Sequence, residues 1–324
     1  MTVTSASFQG TESDAMVARF KSAGSDVLQG ANLHAFVRSY GLVGAQALAT
    51  NKLERWCIDI IGKGDVPEAD NDILFVLPLV TALPKKSGQN LTEWHQETFD
   101  GLRCHWKCGV NGESAGLPAG PRGRRILIYI INEALRGSDR LTPSDPSMYH
   151  WSHRLTDWSS GGRTYAGIRR LHSALASSEL IVSYRDKNQT WCDVSIRWPD
   201  FREPLDEAVW RQLNALIEKH FRSRLAKLRR SALIKMSRNS YAIDIYIWLA
   251  SVLPFLDLPL SVEWDCLWQQ FGAGYNRRDQ WIAVFRPALL QTLTLYPSAC
   301  VSLSPEGMIL YPSAGPFTVC MDGK

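Results

Sequence analysis

No apolar run in the sequence approaches the roughly 20 residues that a membrane-spanning helix needs. The first residues, Thr2 to Asp14, are polar and lack the basic and apolar parts of a signal peptide. A disulfide framework is not expected either, because the seven cysteines form an odd and scattered set, which is typical of reduced thiols. We therefore expect a soluble protein of the cytoplasm that has no contact with a membrane.

Motifs for several kinds of catalysis are also lacking. The sequence contains neither the Gly-x4-Gly-Lys-Ser/Thr loop of nucleotide hydrolases nor the His-apolar-His metal motif that a rolling-circle nickase combines with a tyrosine. Cys104 and Cys108 have no second ligand pair at zinc spacing, and period-two alternation places both on the apolar face of a strand with Trp106. We interpret His150 and His153 as partly buried helix residues. The sequence thus predicts no catalytic site, no metal site and no cofactor.

The positive charge is concentrated in the middle of the chain. Residues 1–115 contain 10 Lys and Arg against 13 Asp and Glu, residues 116–240 contain 22 against 12, and residues 241–324 contain 4 against 7. Of the 22 basic residues in the middle part, 18 are Arg, whose planar side chain suits phosphate groups and guanine edges. This composition indicates a polyanionic partner or, equally well, an ordinary solvated basic face.

A small β layer, three helices and a hairpin are predicted between residues 71 and 200. The predicted strands of the β layer are Ile73–Leu79 and Phe99–Val110, the helices are Arg124–Arg136, Met148–Trp158 and Thr164–Ser178, and the hairpin strands are Leu180–Tyr184 and Trp191–Trp198. This is the order of a winged helix, in which a short turn lets the second helix brace the third against a major groove.

The same order returns after residue 239. The predicted helices are Tyr241–Leu253, Val262–Phe271 and Arg277–Leu295, followed by strands at Ala299–Ser304 and Met308–Pro312. Pro287 lies inside the third helix and is expected to kink or restart it. Glu133, Asp157 and Asp244 are expected in helices among apolar neighbours, with no pairing that would suit acid–base chemistry.

These patterns together predict an α+β protein of two tandem winged-helix domains with a small N-terminal helical extension. A chain of 324 residues exceeds what one core usually serves, which agrees with two domains. The predicted parts are an N-terminal helical extension over residues 1–70, a first winged-helix domain over residues 71–200, a basic linker helix over residues 201–238, and a second winged-helix domain over residues 239–324.

Several stretches resemble the plasmid RepA/TrfA-type replication initiator family. They are Gly116-Leu-Pro-Ala-Gly-Pro-Arg122, Gly161-Gly-Arg163 ahead of Arg169-Arg-Leu171, Ala242-Ile-Asp-Ile-Tyr-Ile-Trp-Leu249, and Trp264 followed by Gln270-Phe-Gly-Ala-Gly-Tyr275. The likeness runs from Ile73 to Pro312, and its specificity lies in the order and spacing of these motifs. One departure is that Leu225–Leu228 lacks the prolines that this family usually has before its aspartate-isoleucine-tyrosine motif, so a helix could continue there.

The resemblance implies a plasmid replication initiator that acts on double-stranded DNA. Such a protein binds repeated sites at an origin, promotes melting of adjacent AT-rich DNA, and recruits the host replication initiator and the replicative helicase. The resemblance also implies monomer and homodimer forms, of which the dimer often represses its own gene.

The predicted DNA-binding residues are basic and amide side chains at helix starts and in the linker. In the first domain they are Arg163, Thr164, Tyr165, Arg169 and Arg170; in the linker they are Arg222, Arg224, Lys227, Arg229 and Arg230; in the second domain they are Asn276, Arg277, Arg278 and Gln280. Arg can form two hydrogen bonds with guanine, and Asn or Gln can do so with adenine. If the two domains contact one face of DNA a helical turn apart, the recognised repeat is about 20 base pairs.

Two other functions remain open at this point. One is a winged-helix transcriptional repressor of a plasmid or phage operon, for which the same DNA-binding residues would suffice. The other, from the enzyme class, is a nicking or nucleolytic initiator, for which the sequence offers no metal motif.

Overall fold

The computed structural model of the chain describes residues 12–21, 24–63, 73–85, 91–109, 116–136, 167, 170–171, 173–186, 188–198, 207–236 and 238–317. These residues form a mixture of helices and sheets, so the predicted α+β class is confirmed. Their strands belong to two four-stranded sheets and one two-stranded sheet. Within the same residues, no helix is both long enough and apolar enough to cross a bilayer.

The N-terminal elements pack against the C-terminal part of the chain. They are α1 (Glu12–Phe20), β1 (Val27–Gln29), α2 (Gly30–Ala47) and α3 (Lys52–Gly62). Strand β1 pairs antiparallel with residues 300–302 of the C-terminal hairpin, in the register Leu28 to Val301. The Ala31 amide donates a hydrogen bond to the Pro297 carbonyl over 3.1 Å. The N-terminal extension therefore contributes a strand to the C-terminal sheet.

The middle part is built on the second four-stranded sheet. Its elements are β2 (Ile73–Val76), a 3-10 helix (Pro78–Ala82), β3 (Glu93–Glu97), β4 (Arg103–Cys108), α4 (Gly120–Arg136), β5 (Ser178–Arg185) and β6 (Trp191–Arg197). The antiparallel order is β3-β4-β5-β6. The predicted helix at 124–136 and the predicted hairpin at 180–198 are confirmed. The predicted helix Met148–Trp158 lies outside the described residues, and only residues 167, 170–171 and 173–176 of the predicted helix 164–178 are described as helical.

The predicted continuous linker helix is wrong. The chain forms α5 (Glu207–Leu216), a turn of π-helix (Ile217–Phe221), a 3-10 turn (Arg222–Arg224), β7 (Ala226–Arg229) and the short α6 (Arg230–Lys235). Strand β7 pairs antiparallel with β2, with Leu74 opposite Leu228. Ala226 and Leu228 are buried whereas Lys227 is exposed, which is the alternation of a strand. Pairing with a distant strand has overridden a local sequence that is compatible with a helix.

The C-terminal part follows the predicted order with one additional strand. It contains α7 (Ser240–Val252), β8 (Leu260–Glu263), α8 (Trp264–Phe271), α9 (Arg278–Leu295), β9 (Cys300–Leu303) and β10 (Gly307–Tyr311). The sheet order is β1-β9-β10-β8, so β8 pairs with the last strand of the hairpin. The three predicted helices and the hairpin are confirmed, except that Val262 and Glu263, predicted to begin the second helix, belong to β8. Helix α9 continues through Pro287, so the helix does not restart there, whereas the alternative prediction of a kink stays a prediction.

The core is one contiguous cluster of buried residues that extends from Met16 to Leu310. Helix α7 lies inside it, because every residue from Ser240 to Ala250 is buried. Asp244 on this helix has partners that the sequence did not predict. Arg124 of α4 donates to Asp244 from Nε over 2.6 Å and from Nη2 over 2.9 Å, and Lys85 donates to the same carboxylate. This buried cluster joins the middle part of the chain to the C-terminal part.

Candidate nucleic-acid interface

The start of α9 is held in place by aromatic packing against α8. Trp281 is fully buried, and its ring lies edge-on to Trp264 at 6.1 Å and to Trp268 at 5.4 Å between centroids. Phe285, one turn further along α9, continues the same contact at 5.0 Å from Trp281. Because Trp264, Trp281 and Phe285 are buried between the two helices and Trp268 is half-buried beside them, the first turn of α9 has a fixed orientation.

The opposite side of this first turn is exposed and polar. Asn276, Arg277, Arg278 and Gln280, all predicted DNA-binding residues, are exposed here. The structure therefore brings together the four residues predicted for the second domain. Their arrangement offers two guanidinium groups and two amides to a ligand from one end of one helix.

Both arginines at this helix start are paired with carboxylates. Arg277 contacts Asp279 from Nε over 3.1 Å and from Nη2 over 2.6 Å, and Arg278 Nη1 lies 2.8 Å from Asp265 Oδ1 at the start of α8. The hydrogen bond from Arg277 lowers the pKa of Asp279. A phosphate or a base edge would have to replace these carboxylates, and the pairs are exposed, so the exchange costs little.

The five predicted linker residues do not share one helical face. Arg224 is half-buried and binds the carboxylate of Asp100 over 2.6 Å and its carbonyl over 2.9 Å, so it holds the turn between β3 and β4. Arg222 is exposed and paired with Glu218, and Lys227 is exposed on β7. Arg229 and Arg230 are half-buried. Of this set, Arg222 and Lys227 have the exposure that a phosphate contact needs.

The predicted residues of the first domain are described only in part. Arg163, Thr164, Tyr165 and Arg169 lie outside the described residues, whereas Arg170 is described and is exposed.

A basic and aromatic group at the end of the β5–β6 hairpin was not predicted. Trp191 is 38% exposed, and the guanidinium carbons of Arg103 and Arg185 lie 4.1 Å and 5.1 Å from the centroid of its ring. Arg185 and Trp191 are cross-strand partners, although the sequence had placed Arg185 in the hairpin turn. Arg103 comes from β4, and no sequence signal placed β4 beside this hairpin. Two cations on an exposed indole can bind phosphate and stack on a base.

The remaining exposed surface of this sheet is balanced in charge. Glu97 lies 3.6 Å from Arg103, and Glu179 lies 3.6 Å from Arg197. The hairpin turn of the C-terminal sheet carries Glu306 and no basic residue between positions 304 and 307. Among the residues that the structure describes, exposed basic side chains on these elements lie at the end of the β5–β6 hairpin, at Arg170, and at Arg222 and Lys227.

Comparisons of the chain with protein-family models, with curated proteins and with solved structures give no match.

Proposed function

We propose that the chain is a sequence-specific DNA-binding protein that initiates plasmid replication at repeated origin sites and has no catalytic site of its own. The observation that supports this most is the topology of residues 240–311. Helix α7, strand β8, helices α8 and α9 and a hairpin follow one another, with β8 paired to β10. This is the order of a winged helix, whose third helix enters the major groove of DNA.

In this proposal the start of α9 contacts base edges. Arg277 and Arg278 have the fork geometry for guanine, and Asn276 and Gln280 can bind adenine through two hydrogen bonds. The buried Trp281 keeps these side chains at a fixed position relative to α8. Phosphate contacts then fix the orientation of the protein, whereas these base contacts specify the sequence.

A second winged helix over residues 71–200, together with the linker over residues 201–238, would supply most of the affinity. The excess of basic residues in the chain falls within residues 116–240, and electrostatic attraction to phosphates dominates the strength of DNA binding. Because the sequence has no nucleotide-binding loop, the free energy of DNA binding would drive origin melting. The proposed binding sites are repeats of about 20 base pairs. Host initiator, replicative helicase and a second copy of the chain are the proposed protein partners.

Binding is tested on labelled duplexes taken from the DNA beside the gene, by fluorescence anisotropy. Replacing Arg278 by Ala should weaken binding to the repeat by about 5- to 150-fold, because one base contact contributes about 1–3 kcal/mol. Asp265→Asn, which removes the carboxylate that competes for Arg278, should strengthen binding by about two- to fivefold.

Lys52→Ala is the matched control for charge removal. Lys52 begins α3, and Cys57 of that helix contacts Thr294 near the C-terminal end of α9. Thr294 lies about 24 Å along α9 from Arg278, so Lys52 is far from the exposed helix start. Equal losses in Arg278→Ala and Lys52→Ala would contradict base contact by α9 and leave general electrostatic attraction as the explanation.

Initiation is distinguished from repression by replication itself. The DNA beside the gene is placed on a plasmid that lacks an origin, and the protein is supplied from a second plasmid. Autonomous replication is expected with the native chain and should be lost with Arg278→Ala. Sequence-specific binding without replication would instead support the repressor, and relaxation of supercoiled DNA by the protein with magnesium would support the nicking enzyme.

A further inference from the structure

The hairpin formed by β3 and β4 carries two histidines and a glutamate on its exposed face. His95 and His105 are direct cross-strand partners, and Glu93 is two residues before His95 on the same face of β3. The two imidazole rings stack with centroids 3.7 Å apart and planes inclined by 25°. The cysteine-bearing face of β4 is the other one, where Cys104 is buried.

The donor atoms of these three side chains converge. Nε2 of His95 lies 4.0 Å, and Nε2 of His105 lies 3.7 Å, from the same carboxylate oxygen, Oε2 of Glu93. One donor atom from each residue falls within 4.8 Å of the other two. Nε2 of His105 is buried and has no hydrogen-bond partner among the residues that the structure describes, since 3.7 Å exceeds hydrogen-bonding distance. A buried nitrogen without a hydrogen-bond partner beside a carboxylate leaves room for a third group between them, such as a water molecule or a metal ion.

We propose that Glu93, His95 and His105 bind one divalent transition-metal ion. Two imidazoles and one carboxylate suit Zn²⁺, Co²⁺ or Ni²⁺, whereas Mg²⁺ and Ca²⁺ prefer oxygen ligands alone. A tetrahedral Zn²⁺ ion with bonds of 2.0–2.1 Å requires its donors about 3.3 Å apart. The donors lie up to 4.8 Å apart, and the side chains of Glu93 and His95 are 60% and 66% exposed, so both are free to rotate towards that spacing. Water fills the other coordination positions on the solvent side.

The ion would connect the edge strand β3 to β4. The hairpin formed by these strands contacts both the C-terminal helices and the segment between residues 207 and 236. Gln96 of β3 donates to the Gln270 carbonyl of α8 over 2.5 Å, and Asp100 of the turn binds Arg224. Metal binding would therefore stabilise the contact between the middle sheet and the C-terminal helices. The proposal does not depend on DNA binding.

The test is equilibrium dialysis of the full chain against Zn²⁺ and, in parallel, against Co²⁺ with absorption spectra. One ion per chain is expected for the native protein, with a cobalt spectrum that has no thiolate charge-transfer band. His95→Ala, His105→Ala and Glu93→Gln should each weaken binding by at least about 100-fold, because even partners outside the ligand shell contribute 10- to 100-fold.

Glu97→Gln is the matched control, since Glu97 lies on the same strand and face but pairs with Arg103 instead. It should bind like the native chain. Because His105 is partly buried, circular dichroism and the melting temperature without metal establish that each variant is folded, and the exposed His95 provides a variant that leaves the core untouched. Undiminished binding in both histidine variants, a thiolate band, or no retained ion would overturn the proposal.

Discussion

Asp244 is a buried carboxylate with two buried cationic partners. Its side chain and that of Arg124 are fully buried, and that of Lys85 is 5% exposed. Arg124 also donates to the carbonyls of Leu83, Pro84 and Gly120, which closes the loop before α4. Asp244 therefore connects α7 to two other segments of the fold.

Replacing Asp244 by Asn should strongly destabilise the protein. The substitution leaves two buried cations without a carboxylate, and breaking a buried ion pair from one side costs about 3–5 kcal/mol. The free energy of unfolding in urea measures the effect. Asp257→Asn, at an exposed carboxylate of the loop that follows α7, should change that free energy by less than about 0.5 kcal/mol. Similar losses in the two variants would contradict the structural role of the cluster.

Lys85 makes the stability of the fold depend on pH. Burial lowers its pKa to about 8 from the usual 10.5, and the nearby Asp244 only partly opposes this effect. Between pH 8 and pH 10.5 the unfolded chain binds more protons at Lys85 than the folded chain does. The free energy of unfolding therefore rises as the pH increases through this range, and this gain is lost when the pH falls through about 8.

Lys85→Met supplies the comparison, because Met does not titrate and all other groups are retained. From about pH 7.5 to about pH 10, the free energy of unfolding of the native chain should rise by roughly 2–3 kcal/mol relative to that of Lys85→Met. Denaturant unfolding at both values measures this difference. Parallel profiles for the two proteins would show that Lys85 titrates normally in the folded state.

At the scale of elements, α2 begins where it touches the end of α9. A Cβ atom on Gly30 would lie 1.9 Å from the Leu293 carbonyl oxygen and 3.0 Å from Pro297 Cα. Both neighbours are backbone atoms, which cannot rotate away. Glycine at this position therefore allows the N-terminal helices to pack against α9.

Gly30→Ala should lower the free energy of unfolding by about 1–3 kcal/mol, since the two helices must move apart. Gly44→Ala is the control within the same helix, because a Cβ there would have only an ordinary contact of 3.5 Å with Tyr40. That variant should be neutral or more stable by about 0.5–1 kcal/mol. Thermal unfolding measures both, and equal stability of the two variants would contradict the close approach of α2 and α9.

Elements with a strong local signal were predictable from the sequence, and those defined by distant partners were not. Helix α7 and the hairpin of β5 and β6 follow from apolar periodicity over neighbouring residues. Strand β7 depends on β2, and β8 depends on β10, so neither could be identified from a local window. In the candidate interface, too, residues within one local segment were predictable and those brought together by strand pairing were not. The exposed start of α9 was predicted, whereas Arg103 beside Trp191 and His105 beside His95 result from the strand order and register.

At the scale of the whole molecule, the excess of positive charge is confined to one part of the chain, whereas buried packing contacts are spread over all described parts. The excess of positive charge belongs to residues 116–240, whereas the buried core runs through the described residues from end to end. Gln96 bound to Gln270 and Arg124 bound to Asp244 both cross between the middle and the C-terminal parts. If both parts contact DNA as proposed, their contacts would have a fixed spacing, which favours repeats of one length.

The salt dependence of DNA binding should reveal which part of the chain contacts phosphates. Each phosphate contact contributes about 0.9 to the slope of log affinity against log salt concentration. Replacing Arg169 and Arg170 together by Ala should reduce that slope by about 2, and Lys52→Ala should leave it unchanged. Anisotropy titrations between about 50 and 200 mM salt measure the slope. An unchanged slope in the double variant would remove the first domain from the DNA contact.

The pairing of β1 with β9 has a consequence for synthesis of the chain. Val27 and Ser302 are partners although about 275 residues separate them. At a translation rate of about 5–20 residues per second, β1 leaves the ribosome roughly 15 to 55 seconds before its partner exists. The N-terminal segment must remain without this strand partner for that time, so its packing against β9 forms late in synthesis and incomplete chains are prone to aggregation.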